Sequence, residues 1–70
     1  MKTYSIKVNN QVMTLAQAEY LYKVVNQIEH DLKRRFRCFE LNFIDSNRPK
    51  AVFNVYCNNS VSTIEIQEAV

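Results

Sequence analysis

The side chains with the most reactive chemistry in this chain are one histidine and two cysteines. A thiol becomes a nucleophile when a neighbouring base activates it, and histidine together with cysteine can also form a zinc site. His30 precedes Cys38 by two full turns of a predicted helix, and Cys57 has no second cysteine at the CxxC spacing. This spacing favours neither chemistry. We expect a surface histidine and two reduced thiols that are buried or half-buried, Cys57 towards the core and Cys38 away from it.

Hydroxyl and carboxylate side chains offer no catalytic pattern either. Ser46 and Ser60 fall in predicted turns with no base at a useful spacing, and the glutamates indicate no shared polar pocket. The chain contains no glycine, which excludes a glycine-rich phosphate-binding loop. We therefore predict a protein that is not an enzyme and has no metal or cofactor.

Basic residues are the clearest local cluster, although the net charge is only +2. The predicted basic set consists of Lys33, Arg34, Arg35 and Arg37 at the end of a helix, with Arg48 and Lys50 in a later loop. Such side chains could contact the phosphates of a nucleic acid or the carboxylates of a partner protein. They are also common at a solvated helix end, where they offset the helix dipole. Because no nucleic-acid-binding motif is present, these interpretations stay open.

Asparagine pairs predict the turns that position these groups. Asparagine is the residue after glycine that best tolerates a positive φ, and such residues form two-residue hairpin turns. Asn9-Asn10 and Asn58-Asn59 each stand between segments in which apolar and polar residues alternate. We predict a hairpin at each pair, with residues 11–13 as the short second strand of the first hairpin.

A single long helix is predicted between the two hairpins. Thr14 and Gln17 have the spacing of a capping box, which predicts a helix start at this point. A stripe of apolar residues at spacings of three and four then runs to the predicted helix end near Arg35 or Phe36. The stripe comprises Leu21, Val25, Ile28, Leu32 and Phe36.

Three further strands complete the predicted sheet, at residues 39–44, 51–57 and 61–67. Directly opposed residues of antiparallel strands share a face. With Asn58-Asn59 as the turn, Phe53 should oppose Ile64 and Ala51 should oppose Ile66. The same alternation puts Phe39, Leu41 and Phe43 on the face of Ala51.

The fold class predicted from these elements is α+β. Seventy residues, 47% of them hydrophobic and 23% charged, suit one small globular domain over residues 1–70. We predict a two-layer ββαβββ domain in which the helix packs on one face of a mainly antiparallel sheet. The other face should carry an uncovered apolar group formed by Ile44, Val52, Tyr56 and Val61.

An uncovered apolar face indicates either a solvated surface or an interaction site. Neither a signal peptide nor a membrane-spanning stretch is recognisable, so we expect a cytoplasmic protein that does not contact a membrane. The preferred hypothesis is a protein-binding module: a homodimer that regulates or inhibits a larger protein partner, as virus-encoded accessory proteins do. The alternative is a nucleic-acid-binding domain that uses the basic helix end. A third hypothesis is a subunit of a larger assembly that pairs with its neighbours through an exposed strand edge.

Overall fold

A computed structural model describes residues 1–45 and 47–69 of the chain. Ser46, which we predicted in a turn, lies outside the described residues. The elements follow the predicted order ββαβββ. They are β1 (Lys2–Val8), β2 (Gln11–Ala18), α1 (Leu21–Arg35), β3 (Cys38–Asp45), β4 (Lys50–Cys57) and β5 (Ser60–Glu68).

The five strands form one antiparallel sheet in the order β2-β1-β5-β4-β3. The strand that is last in sequence therefore lies at the centre, where it pairs with both β1 and β4. No strand order was predicted from the sequence. The α+β class with one helix and an antiparallel sheet is confirmed.

Asparagine pairs make both tight hairpin turns, as predicted. Asn9 and Asn10 have φ of 50° and 69°, and Asn58 and Asn59 have φ of 49° and 64°. Asn9 also connects two strands, because its backbone N–H donates to the carbonyl of Thr63 (2.9 Å) and its Oδ1 accepts from the Thr63 N–H (3.0 Å). The first turn is thereby attached to the central strand.

The predicted helix start at Thr14 is wrong. Strand β2 continues to Ala18 and pairs with β1 along its length, and α1 begins at Leu21 after an extended Tyr20 that makes no side-chain cap hydrogen bond. The Thr14 hydroxyl donates to the Leu15 carbonyl instead of accepting from Gln17. Cross-strand pairing satisfies the backbone here, so tertiary context overrides a local match to a capping box.

The register between β4 and β5 is the predicted one, with Phe53 opposite Ile64 and Ala51 opposite Ile66. Strand β3 departs from prediction because an irregularity between Leu41 and Phe43 shifts its pairing with β4. Such a bulge adds one residue and exchanges the faces of all that follow. Phe43 therefore opposes Val52 instead of joining the face of Ala51.

The core lies between α1 and the sheet. Leu21, Val25 and Leu32 of the predicted stripe are buried, whereas Ile28 and Phe36 are half-buried at its edge. The sheet contributes side chains that are almost completely inaccessible. These are Tyr4, Ala51, Phe53, Val55 and Ile66. The helix ends at Arg35, where the Phe36 N–H donates to the Leu32 carbonyl at 2.8 Å.

Candidate binding surfaces

The face of the sheet opposite α1, here called the open face, carries three of the four predicted apolar residues. Val52, Tyr56 and Val61 lie on it, since Tyr56 opposes Val61 and Val52 opposes Glu65. The bulge adds Phe43, which is 47% exposed. No element of the described chain covers this face.

Ile44 is the fourth predicted residue, and its assignment to the open face is wrong. After the bulge it opposes Ala51, which lies in the core, so Ile44 is on the helix side of the sheet. There it lines a shallow cleft with Tyr4, Leu21 and Pro49.

Apolar side chains on the open face are arranged in cross-strand pairs with polar residues between them. Phe43 pairs with Val52 towards one end, and Tyr56 pairs with Val61 towards the other. A polar row of Glu40, Asn54 and Thr63 crosses the sheet between the two pairs. Further along the sheet, Val12 and Leu15 of β2 oppose Lys7 and Ser5 of β1.

Two polar contacts order the side chains of the open face. The Lys50 ammonium lies 3.4 Å from a Glu65 carboxylate oxygen. The Tyr56 hydroxyl donates to Glu40 Oε1 at 2.6 Å. This hydrogen bond to Glu40 raises the pKa of Tyr56, with desolvation and the carboxylate charge adding to the rise. The hydrogen bond also restrains the ring of Tyr56 on the surface.

The predicted basic set is divided between two ends of the molecule. Arg35 lies at the helix end beside Cys57, where β4 finishes, whereas Lys50 begins the same strand at the other end. Lys50 forms a salt bridge with Glu65, and Lys33 forms one with Glu29, at 3.4 Å from a carboxylate oxygen. The residues at the helix end are exposed and form what we call the basic end: Lys33, Arg34, Arg35 and Arg37. Arg48 and Lys50 are not part of it.

An apolar groove of about 400 Å³, which sequence reasoning missed, lies beside the basic end. It opens between the second half of α1 and the ends of β1, β2, β4 and β5. Half-buried apolar side chains of Val8, Ile28, Phe36 and Ile64 form much of its wall. The exposed Met13 and the small or polar residues Thr14, Cys57 and Ser62 also line it on the strands, with Asp31 and Arg35 at the helix side. Those small residues at core-facing strand positions are the signal that could have indicated the groove.

The reactive side chains do not converge in the structure. Both thiols are free and exposed, so the expectation of buried or half-buried cysteines is wrong. Cys57 lines the groove on the helix side, and Cys38 opposes Tyr56 on the open face. Within residues 1–45 and 47–69, no three histidine, cysteine or acidic side chains lie close enough to hold a metal ion. The helix α1 is neither long nor apolar enough to cross a membrane.

In comparisons with known proteins, no family model, curated sequence or solved structure matches this chain.

Proposed function

We propose that this chain is a non-catalytic protein-binding module whose open face pairs with a second copy, and that the dimer regulates or inhibits a larger protein. The observation that supports this proposal is the set of exposed apolar side chains on the open face, where Phe43 and Val61 are 47% and 58% exposed. Clustered apolar side chains on the surface of a folded domain are typical of interaction sites, and a twofold dimer is the commonest assembly.

The size of the open face suits such a dimer. Five strands about 4.8 Å apart, each about 25 Å long, cover on the order of 500 Å² in projection. Side-chain relief increases the accessible area towards the roughly 800 Å² per partner that is typical of stable interfaces. Nearly the whole open face, including its polar row, would have to be buried to form an interface of this size.

Charge balance on the open face also supports self-association. On this face Lys7 and Lys50 stand against Glu40, Asp45 and Glu65. A twofold interface brings the same surface patch from both copies together, so a patch with one dominant sign of charge would repel itself. The open face has no such excess, and the Lys50–Glu65 salt bridge already neutralises two of its charges.

Light scattering coupled to size exclusion tests the dimer. We expect the wild-type chain to elute as a dimer and the double variant Val52→Asp, Tyr56→Ser to elute as a folded monomer, because a charge and a lost ring would disrupt the interface. The matched control is Ile44→Asp with Tyr22→Ser, which changes the same kinds of exposed side chain on the helix side of the molecule. If the open-face variant kept both its oligomeric state and its capture of partner proteins, the proposal would be wrong.

A second candidate function is nucleic-acid binding through the basic end. Arg34, Arg35 and Arg37 are exposed, and no carboxylate of the described residues forms a salt bridge with them. Free guanidinium groups suit phosphate contacts, and the half-buried ring of Phe36 lies next to them. Affinity for a random oligonucleotide should fall steeply with added salt. Arg34→Glu with Arg37→Glu should abolish it, while Lys23→Glu with Arg48→Glu should weaken it only slightly.

We also propose a cytoplasmic location. The support is the pair of exposed, free thiols at Cys38 and Cys57, because exposed cysteines stay reduced most readily in a reducing compartment. Quantifying free thiols in protein isolated under non-reducing conditions, with immediate alkylation, checks this point.

A further inference from the structure

We propose that the apolar groove beside the basic end binds a small amphipathic anion, namely an alkyl chain that carries a single carboxylate. This site is separate from the open face, because it lies on the helix side of the sheet. It would add ligand binding to a chain whose proposed function is protein contact.

The groove exists because short side chains line the sheet beside the second half of α1. They stand where the strands approach their asparagine turns, at the level of the helix end. Ser62 occupies a core-facing position on β5 where Ile64 and Ile66 stand further along the strand, and it opposes Val55. The serine leaves space that an isoleucine would fill. The resulting volume of about 400 Å³ lies within the range of about 300–1,000 Å³ typical of small-molecule sites.

The lining of the groove selects an apolar chain. Ile6, Leu32 and Val55 form its floor, and Val8, Ile28 and Phe36 form its sides. The hydroxyls of Thr14 and Ser62 are its polar groups on the strands. Ligand sites that combine a mainly apolar wall with a few polar groups bind the body of a ligand by burial and fix its head by polar contact.

Charge at the mouth of the groove selects the head group. Arg35 lines the groove, and Arg34 lies beside it in a small polar notch that also includes Asp31. Asp31 lines the groove together with Arg35, and Arg34 is the second basic side chain at this place. Two arginines and one aspartate leave the mouth with a net positive charge. The planar guanidinium of Arg35 can bind a carboxylate through two hydrogen bonds.

Decanoate is a suitable probe, with decyltrimethylammonium as the matched ligand of opposite charge. Titration of the ¹⁵N-labelled full chain should shift the amide signals of Val8, Thr14, Leu32 and Ser62 and leave those of the open face unchanged. The cation should bind at least about tenfold more weakly than decanoate, because it meets Arg35 with the same sign of charge.

Variants test separately the part of the groove that would bind the alkyl chain and the part that would bind the carboxylate. Arg35→Glu should weaken decanoate binding by at least about tenfold, the effect of losing one charge-assisted hydrogen bond, and Lys23→Glu on the same helix should not. Ser62→Phe should fill the groove and abolish binding. If that variant fails to fold, Thr14→Phe at an exposed lining position provides the same test.

Three results would overturn the proposal. They are no shift of groove signals at about 1 mM decanoate, where even weak ligands are detected, equal binding of the cation, or unchanged affinity in both Arg35→Glu and the groove-filling variant. None of these outcomes depends on the open face, so the dimer proposal can succeed or fail separately.

Discussion

The two faces of the sheet are built from the same strands and similar residues, yet they have opposite surroundings. On the helix side, Phe53 and Ile66 are completely inaccessible. On the open face, Phe43 and Tyr56 stand on neighbouring strands and are 47% and 41% exposed. One helix accounts for the difference, because α1 covers the centre of one face only. Burial in this chain is thus decided by the second layer and not by residue type.

The largest effect is expected from truncating an aromatic ring on each face. Phe53→Ala should lower the free energy of unfolding by about 3–5 kcal/mol, because it leaves a cavity in the core. A domain of this size has a total stability of only roughly 4–10 kcal/mol. Phe43→Ala should change it by less than about 1 kcal/mol, because much of that ring is already in water. Urea unfolding followed by circular dichroism measures both.

Measuring both variants at several protein concentrations tests the difference between Phe43 and Phe53 further. If the open face pairs with a second copy, the cost of Phe43→Ala should increase with protein concentration, whereas the cost of Phe53→Ala should not depend on it. Equal costs for the two variants at the lowest concentration would contradict the difference between the faces, since they would require Phe43 to be buried within one chain.

A smaller effect is expected from the Lys50–Glu65 ion pair on the open face. Both side chains are partly exposed, so a double-mutant cycle with Lys50→Met and Glu65→Gln should give a coupling of at most about 1 kcal/mol. The coupling should decrease further when salt is added. A coupling of several kcal/mol that is insensitive to salt would mean that water does not reach this face.

The smallest effect concerns Tyr56 and pH. Its folded pKa is raised above the usual value of about 10, mainly by the hydrogen bond to Glu40. The fold therefore favours the neutral phenol, and this contribution to stability is fully present below about pH 10 and is lost as pH rises through the folded value. Glu40→Gln should lower the pKa.

Tyrosinate absorbance during alkaline titration measures this shift. The Tyr56→Phe variant identifies the component due to Tyr56 among the four tyrosines by difference. If the Tyr56 component titrated at the same pH in wild type and Glu40→Gln, the hydrogen bond would not hold the ring in solution.

Local features of the sequence predicted the parts of the fold that depend on local chemistry. Asparagine is the residue that best tolerates a positive φ in a chain without glycine, so both turns were predictable. A two-residue turn also fixes the register of its hairpin, which is why Phe53 opposite Ile64 followed correctly.

Features that depend on distant partners were not predictable in the same way. Residues Thr14 to Ala18 match a helix start, but they form a strand because β1 is available to pair with them. The bulge in β3 has no local marker, and it moved Phe43 onto the open face and Ile44 off it. Both errors arise because backbone hydrogen bonds are satisfied across strands and not within a short segment.

The candidate surfaces were also predictable only where they depend on local alternation of residues. Alternation along β4 and β5 predicted Val52, Tyr56 and Val61 on the open face. The basic set was predicted as residue types, but its division between two ends depends on the direction of β4 relative to α1. The helix end near Arg35 was predicted, but the groove also depends on how α1 lies over the sheet, which no pattern in the sequence specifies.

The central position of β5 has a consequence for how this protein folds. The hairpins β1–β2, β3–β4 and β4–β5 each need only neighbouring residues, but the pairing of β1 with β5 and the hydrogen bond from Thr63 to Asn9 join residues that are 54 positions apart or more. Until β1 and β5 pair, each of these strands has an unpaired edge, a state that is prone to aggregate. Closing long loops also slows folding. Both the open face and the groove are therefore complete only when β1 and β5 have paired.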